Sequence, residues 1–322
     1  MQRKAHAVVV LPWSSNGVSA EHRRWLARSR LLRSTRGEVL LEALSALGVT
    51  SPPEALGALR LWGQTGQQPA GWVAAADPVC FEARLDHLVL HPLPALSEGE
   101  VAEIFAYLQK TLATPDSVEF VSVGALGYVR RDQPMATASA SPEVAQGSSP
   151  EAFLPSGGEA GAHDRLQGEI QMCLYEADVN RRRVQHGMPP VNALWLWGGG
   201  FAEPPLKQSP AKPLPALFTG DPVFKGYWQS VQAPVADWPG DLGACLEVSP
   251  SGFVAVLPNE ERADGAGAID ANLSVLRRML QRGRLRRATV LFADGLRADR
   301  GRWDALRLWR RDTAVPKESG SG

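Results

Sequence analysis

The chain has 322 residues and balances 34 Lys plus Arg against 34 Asp plus Glu, a formal net charge of zero. Hydrophobic residues make up 44% and charged residues 21%, which excludes a wholly disordered chain and allows one large core or two ordinary ones. The balance also argues against a dedicated nucleic-acid binder, which carries a basic excess. Cys80, Cys173 and Cys245 are odd in number, far apart and without a CxxC, so neither a disulfide scaffold nor a Cys-only zinc site is expected. No apolar run reaches the ~18 residues of a membrane span. The short apolar run after Arg3-Lys4 reads as a first strand, not a signal sequence, and the expected location is the cytoplasm.

Val8-Val9-Val10-Leu11, closed by Pro12, predicts a strand. Residues 20–48 read as helical, with Trp25, Leu26, Leu31, Leu32, Val39, Leu40, Ala43, Leu44 and Leu47 on the apolar side and Gly48 as the stop. Trp72 to Pro92 reads as extended, most clearly at Leu88-Val89-Leu90. Ser97 and Glu100, placed ahead of Val101, Ile104, Phe105 and Leu108, predict a capping box and a helix over 98–112. Val118 to Val123 and Tyr128-Val129 read as strands joined through Gly124 and Gly127. Gln133 to Ala162 is dominated by Pro, Ala, Ser, Gly and Glu and reads as a mobile linker or long loop. It divides the chain into an N-terminal α/β part, 1–132, and a C-terminal α/β part, 163–312, with a disordered tail over 313–322.

Beyond the linker, 164–187 reads as one helix and 192–197 as a strand ending in Gly198-Gly199-Gly200. Leu217-Phe218 is a short strand, and Gly220-Asp221-Pro222 starts a helix with Asp as cap and Pro as first residue. A strand at 253–257, a helix over 270–281 stopped by Gly283, and a strand at 288–293 complete the pattern. Strands separated by helices predict an α/β fold with a mostly parallel sheet and helices on both faces. The strand at 192–197 is expected to pair in parallel with 253–257 or 288–293.

The segment 169–200 holds the candidate site. On a continuous helix, Leu166, Ile170, Ala177 and Val184 share one face, with Leu174 at its edge. Glu169, Glu176, Asn180 and Arg183 form a polar stripe beside it. The stripe is either the solvated flank of a core helix or the wall of a cleft. Loops beyond strand ends bind ligands in open α/β sheets, and a glycine run lets backbone N–H groups approach an anion. The run is not GxGxxG, and no P-loop Lys-Ser/Thr follows it, so a tight turn is the alternative. Trp195 and Trp197 point to one side of their strand, toward core or ligand, while Asn192 falls on the other side. The proposed cleft joins Glu169, Glu176, Asn180 and Arg183 to Gly198, Gly199 and Gly200, with Asn192 and Trp197 nearby. Asp77, held extended before Pro78, is a second candidate, either bonding nearby backbone or binding ligand.

No metal site is expected: the six histidines make no HxH or HExxH, and His91, four after His87, precedes Pro92 in a strand-like stretch. No GxSxG occurs and no Cys neighbours a His, so nucleophilic catalysis has little support. Asp294-Gly295 marks a strand end. The Arg runs at 181–183, 284–287 and 307–311 read as solvated faces or as contacts to an acidic partner.

Gly168 to Asn180, Pro190 to Gly200, the Trp72-x-x-x-Ala76-Asp77-Pro78-Val79 segment, Asp86 to Leu90 and Trp303 to Arg311 resemble bacterial regulatory proteins of the RpfE type, "regulation of pathogenicity factors". More distantly, Asn192-x-x-Trp195-x-Trp197-Gly198-x-Gly200 and Asp221 to Gly226 resemble the cofactor-independent, archaeal-type phosphoglycerate mutases. That resemblance implies an alkaline-phosphatase-like α/β sheet and, where the activity is kept, a two-metal Asp/His site with a Ser nucleophile. The sequence shows no Asp-His-Gly motif and no Asp-Gly after the first strand. Together the resemblances imply a non-catalytic or catalytically degenerate regulatory protein on that scaffold. It needs no cofactor and takes a small polar ligand or a protein partner. The alternatives are a phosphoglycerate mutase-like phosphotransfer enzyme and a nucleic-acid-binding regulator using the Arg clusters.

Overall fold

The computed structural model describes residues 5–33, 37–49, 54–84, 88–93, 96–113, 118–202, 212–258, 265–302 and 304. In chain order the first elements are β1 (His6–Leu11), α1 (Ala20–Ala27), β2 (Arg30–Arg33), α2 (Val39–Leu47), α3 (Leu56–Thr65), β3 (Trp72–Ala83) and β4 (Leu88–Pro92). Next come α4 (Glu98–Leu112), β5 (Glu119–Val123), β6 (Leu126–Arg131), α5 (Pro142–Ala145), α6 (Ala160–Glu176), α7 (Asp178–Gln185) and β7 (Ala193–Phe201). The last are β8 (Ala216–Phe218), α8 (Pro222–Ser230), β9 (Val235–Ala236), α9 (Leu242–Val248), β10 (Gly252–Val256), α10 (Gly265–Gln281), β11 (Arg287–Phe292) and β12 (Leu296–Gly301). They form two compact units, one from 1–52, 206–221 and 231–322, the other from 53–205 and 222–230. The division therefore does not fall at 133–162, and β1 and β12 both belong to the first unit. The tail over 313–322 lies outside the described residues.

The first unit carries a seven-stranded sheet in the order β2-β12-β11-β1-β10-β8-β9. Strands β11, β1, β10, β8 and β9 are parallel, and β12 and β2 add an antiparallel edge. β1 is apolar on both faces from Ala7 to Leu11, as a strand covered on both sides must be. Ala7, Val9 and Leu11 pack with Trp25 and Leu26 of α1, Leu242 and Leu246 of α9, and Leu273 and Leu276 of α10. Val8 and Val10 alternate to the other face, where α2 meets β1 and β11. The expected architecture, a mostly parallel sheet flanked by helices, holds here. The single helix expected over 20–48 does not: Arg30 to Arg33 leaves it and pairs with β12. The open sheet edge supplies backbone partners that override local helical periodicity.

A polar cluster crosses the α2 face. Thr289 Oγ1 donates to Asp299 Oδ1 at 2.6 Å, and Arg297 clamps the same carboxylate from Nε and Nη2 at 3.2 and 3.1 Å. Because the Thr289 proton is spent on Asp299, His6 Nε2, 3.0 Å away, is the donor in that contact. Burial, reinforced by Arg287, pushes the His6 imidazole down to about 4. The unfolded chain therefore binds a proton at His6 near pH 6.5 that the folded chain refuses until about pH 4. Stability should fall as pH drops through that window. His6→Gln should flatten that part of the urea-midpoint profile. An unchanged slope would show that His6 does not carry it.

The second unit holds β3 to β7 in one antiparallel sheet. β3 pairs with β7 along 72–79 on one side, and with β6 at 72–75 and β4 at 79–83 on the other. Pro78 falls in the gap between β6 and β4, so its missing N–H breaks no bond on that side. The expectation that 192–197 pairs in parallel with 253–257 or 288–293 is overturned: β7 runs antiparallel to β3. Leu194, Trp195, Leu196 and Trp197 are all buried, and a strand covered on both faces has no alternation by which to identify its partner. Helices α4, α6 and α7 cover one face, over Leu194 and Leu196. Helix α3 and the 135–154 segment cover the other. That segment is not a loose linker. Ala138 N donates to Leu196 O, Gly199 N to Thr137 Oγ1 and Trp195 Nε1 to Ala140 O, while Met135, Ala138, Ala140 and Ala145 are buried. Its small side chains form a thin layer over the two indoles, which supply the apolar area the segment itself lacks.

Candidate functional site

The expected helix over 164–187 breaks at Ala177, which is extended (φ −65°, ψ 134°). The break divides the predicted stripe. On α6 Glu176 is exposed and Glu169 half-buried, whereas Asn180 and Arg183 on α7 are buried. Val184, expected in the core, is exposed for the same reason. Asn180 holds the break together. Its Nδ2 donates to Leu174 O and Val191 O, both at 2.6 Å, and its Oδ1 accepts from Val191 N at 2.8 Å. Arg183 donates from Nε to Pro189 O at 2.9 Å and from Nη1 to Glu100 Oε1 at 2.7 Å. Although burial opposes it, the Ser97 backbone bond and Arg183 hold the Glu100 carboxyl below its ordinary range. Glu100 also completes the predicted capping box with Ser97.

Asn192 is likewise structural. Its Oδ1 accepts from Phe81 N at 2.7 Å and its Nδ2 donates to Phe81 O at 2.9 Å, prolonging the β3–β7 ladder by a side chain. Asn180 and Asn192 thus sit at the start of β7, while the three glycines lie at its end, roughly 20 Å along the strand. The proposed cleft joining stripe and glycines does not form. The glycines belong to β7 itself and let α3 approach. A Cβ on Gly198, whose φ is +60°, would meet Gly57 N at 2.7 Å, and one on Gly200 would meet Ala55 Cβ at 2.5 Å.

The structure does bring together Asp77 and Trp197, with Arg60 as a third member that sequence reasoning missed. Arg60 Nη1 lies 2.7 and 2.9 Å from the two Asp77 oxygens, Trp197 Nε1 donates to Asp77 Oδ2 at 2.6 Å, and Arg60 Nη2 donates to Gly127 O at 2.8 Å. The guanidinium lies 4.9 Å from the Tyr128 ring centre and 5.4 Å from that of Trp197. Burial pulls Arg60 down, but Asp77 outweighs it and leaves the group above its ordinary value. Burial also pushes the Tyr128 hydroxyl up to about 12. Tyr128 donates to Gln64 Oε1, and Gln64 donates to Val123 O. The cluster fixes α3 to the sheet, with both terminal nitrogens of Arg60 paired and its Nε buried without a partner among the described residues. A lone Arg between Leu59 and Leu61 in an apolar helix was the available signal.

In the first unit, Ser15 Oγ donates to Asp294 Oδ2 at 2.6 Å just beyond the ends of the adjacent parallel strands β1 and β11. Asp294 Oδ1 is buried without a partner among the described residues. A second constellation resembles a nucleophile relay: Ser274 Oγ lies 3.1 Å from His22 Nε2, and His22 Nδ1 lies 2.9 Å from Asp270 Oδ1. Ser274 is in the middle of α10, where neighbouring N–H groups are spent on the helix, leaving no donor pair for an oxyanion. This network ties α1 to α10.

No family model matches the chain, and no curated protein matches it. The chain is similar in fold to the PH0037 protein of Pyrococcus horikoshii. They share 13% identity over 94% of this chain and 88% of that one, with a TM-score of 0.50. A cofactor-independent phosphoglycerate mutase from Thermoplasma acidophilum DSM 1728 aligns over 92% of this chain and 89% of its own, at 16% identity and a TM-score of 0.39. Likeness at these identities concerns fold alone, and no activity passes from either protein to this chain. The resemblance to RpfE-type regulatory proteins gains nothing from these matches.

Arg181 pairs with Asp178, Arg182 with Glu103 and Arg183 with Glu100, so this Arg run is neutralised residue by residue. The Arg run at 307–311 lies outside the described residues. Among the described residues, no group of three or more His, Cys, Asp and Glu side chains could hold a metal ion. No described helix is long and apolar enough to cross a membrane.

Proposed function

We propose that this chain is a non-catalytic, cytoplasmic regulatory protein that acts by docking a partner protein on the outer face of α6. One observation carries the reading. Met172 and Tyr175, three residues apart on one helix face, are 67% and 88% exposed, with Glu169 and Glu176 beside them. Large apolar and aromatic side chains set among charges on a surface mark interaction sites, and Met and Tyr are enriched there. The acidic flank favours a partner with a basic rim around an apolar pocket. Asn180, Asn192 and Arg183 Nε hold backbone groups, and Asp77 holds Arg60 and Trp197, which suits a scaffold more than a reacting site.

The test replaces Met172 and Tyr175 by Ser in the chromosomal copy. The variant should reproduce the transcript changes of a full deletion while protein level and Tm stay at wild-type values. A variant indistinguishable from wild type would refute the docking reading. A phosphotransfer enzyme is the second reading, favoured by Ser15 and the half-satisfied Asp294 beyond the parallel strand ends. Stoichiometric bound Mn or Zn, with mutase or phosphatase turnover abolished by Ser15→Ala, would reverse the ranking.

A further inference from the structure

Strand pairing assembles a constellation on the α7 face of the second unit. Cys80 of β3 stands directly opposite His91 of β4, so their side chains share one face, and Glu82, two residues along, joins them. Sequence adjacency could not reveal this, because the pair is made by a hairpin. These three side chains line a cavity of about 400 Å³, whose apolar wall comes from Leu93, Met188 and prolines and whose remaining charge is Arg183.

Two nitrogens at this cavity lack hydrogen bonds. Arg183, 2% exposed, spends Nε on Pro189 and Nη1 on Glu100, and its Nη2 has no partner among the described residues. His91 Nε2 is buried and likewise lacks a hydrogen bond. It lies 3.0 Å from Glu82 Oε2 without hydrogen-bond geometry. Glu82 is about half exposed at the rim, where Arg84 Nη2 donates to its Oε2 at 3.1 Å and its remaining lone pairs face the cavity mouth. The cavity thus offers two nitrogen donors, one carboxylate and an apolar wall within the lower part of the usual ligand-pocket size range.

We propose that this cavity binds a small zwitterion with an apolar body, a free α-amino acid with an aliphatic or aromatic side chain. The ligand carboxylate meets Arg183 Nη2 and His91 Nε2, the ammonium meets Glu82, and the side chain lies on Leu93, Met188 and the Cys80 sulfur. The Cys80 thiol feels both charges: burial and Glu82 push it up, while Arg183 opposes them. It therefore stays a neutral thiol in the apolar wall and is not poised as a nucleophile.

Calorimetric titration of the full chain tests this with L-leucine and L-phenylalanine. The singly charged counterparts 4-methylpentanoate and 3-methylbutylamine serve as controls. One amino acid should bind saturably at one site, and loss of either charge should weaken binding at least about tenfold, as removal of one charge-assisted hydrogen bond does. Glu82→Gln, a change on an exposed strand face, should erase the preference for L-leucine over 4-methylpentanoate. Cys80→Phe should fill the cavity and abolish binding. The bound amino acid should also slow alkylation of Cys80, read by peptide mass spectrometry, without slowing that of Cys173. The proposal is overturned if neither amino acid binds, if the singly charged probes bind as well as L-leucine, or if Glu82→Gln leaves the preference intact.

Discussion

Asp77→Asn is expected to destabilise the protein by about 3–5 kcal/mol, the cost of leaving a buried cation without its counter-charge. Arg60 and Asp77 have side chains 6% and 14% exposed, so solvent cannot replace the lost carboxylate. The amide keeps the shape of Asp77 and an acceptor for Trp197 Nε1, which isolates the effect of charge. For a unit of this size the melting temperature should fall by on the order of 10 °C. Replacing both partners by apolar residues, Arg60→Met with Asp77→Leu, should recover most of the loss, because it removes the desolvated charge and not merely its partner. Urea midpoints of the two variants and wild type would decide the matter. A loss under about 1 kcal/mol for Asp77→Asn would mean that water or Glu143 reaches Arg60 and that the pair is not what fixes α3.

How much of this was legible in the sequence depends on how local each device is. The Ser97–Glu100 capping box, the β-branched run of β1 and the Asp221-Pro222 start of α8 are encoded within a few residues, and each appears where expected. The features that sequence reasoning misplaced depend on distant partners. Residues 30–33 become a strand because β12 offers an edge. The break at Ala177 rests on Asn180 reaching Val191, eleven residues away. The 133–162 stretch looked too poor in large apolar residues to pack, yet Trp195 and Trp197 lie beneath it. Within the candidate site, Asp77 and Trp197 read as separate ligand- or partner-binding candidates, and the structure hydrogen-bonds them to each other. Their true partner, Arg60, became visible only when α3 was laid on the sheet. Of the stripe, Glu176 is exposed and Glu169 half-buried ahead of the break, and both residues after it are turned inward.

Gly226→Ala is expected to have the largest effect of any single methyl added to the second unit. A Cβ on Gly226 would lie 1.8 Å from Leu59 O, and one on Gly63 would lie 1.9 Å from Pro222 O and 2.5 Å from Gly226 N. The obstructing atoms are backbone, so no rotamer change can relieve the overlap. The two helices must separate or the turn must unwind. Separation would open the seam between α3, with Leu59 and Leu61, and α8, with Phe224, Tyr227 and Trp228, all buried. Such overpacking against backbone belongs with the exceptional substitutions that cost more than about 4 kcal/mol. Gly63→Ala should behave alike, since the two glycines face each other. Gly168→Ala is the control: it sits on α6 with nothing within 4 Å of an added Cβ, and replacing a helical glycine there should stabilise by about 0.5–1 kcal/mol. Urea unfolding of the three variants separates backbone contact from helix propensity. If Gly226→Ala unfolds within about 1 kcal/mol of wild type, α3 and α8 have slack, and the close approach of their backbones is not what the glycines are kept for.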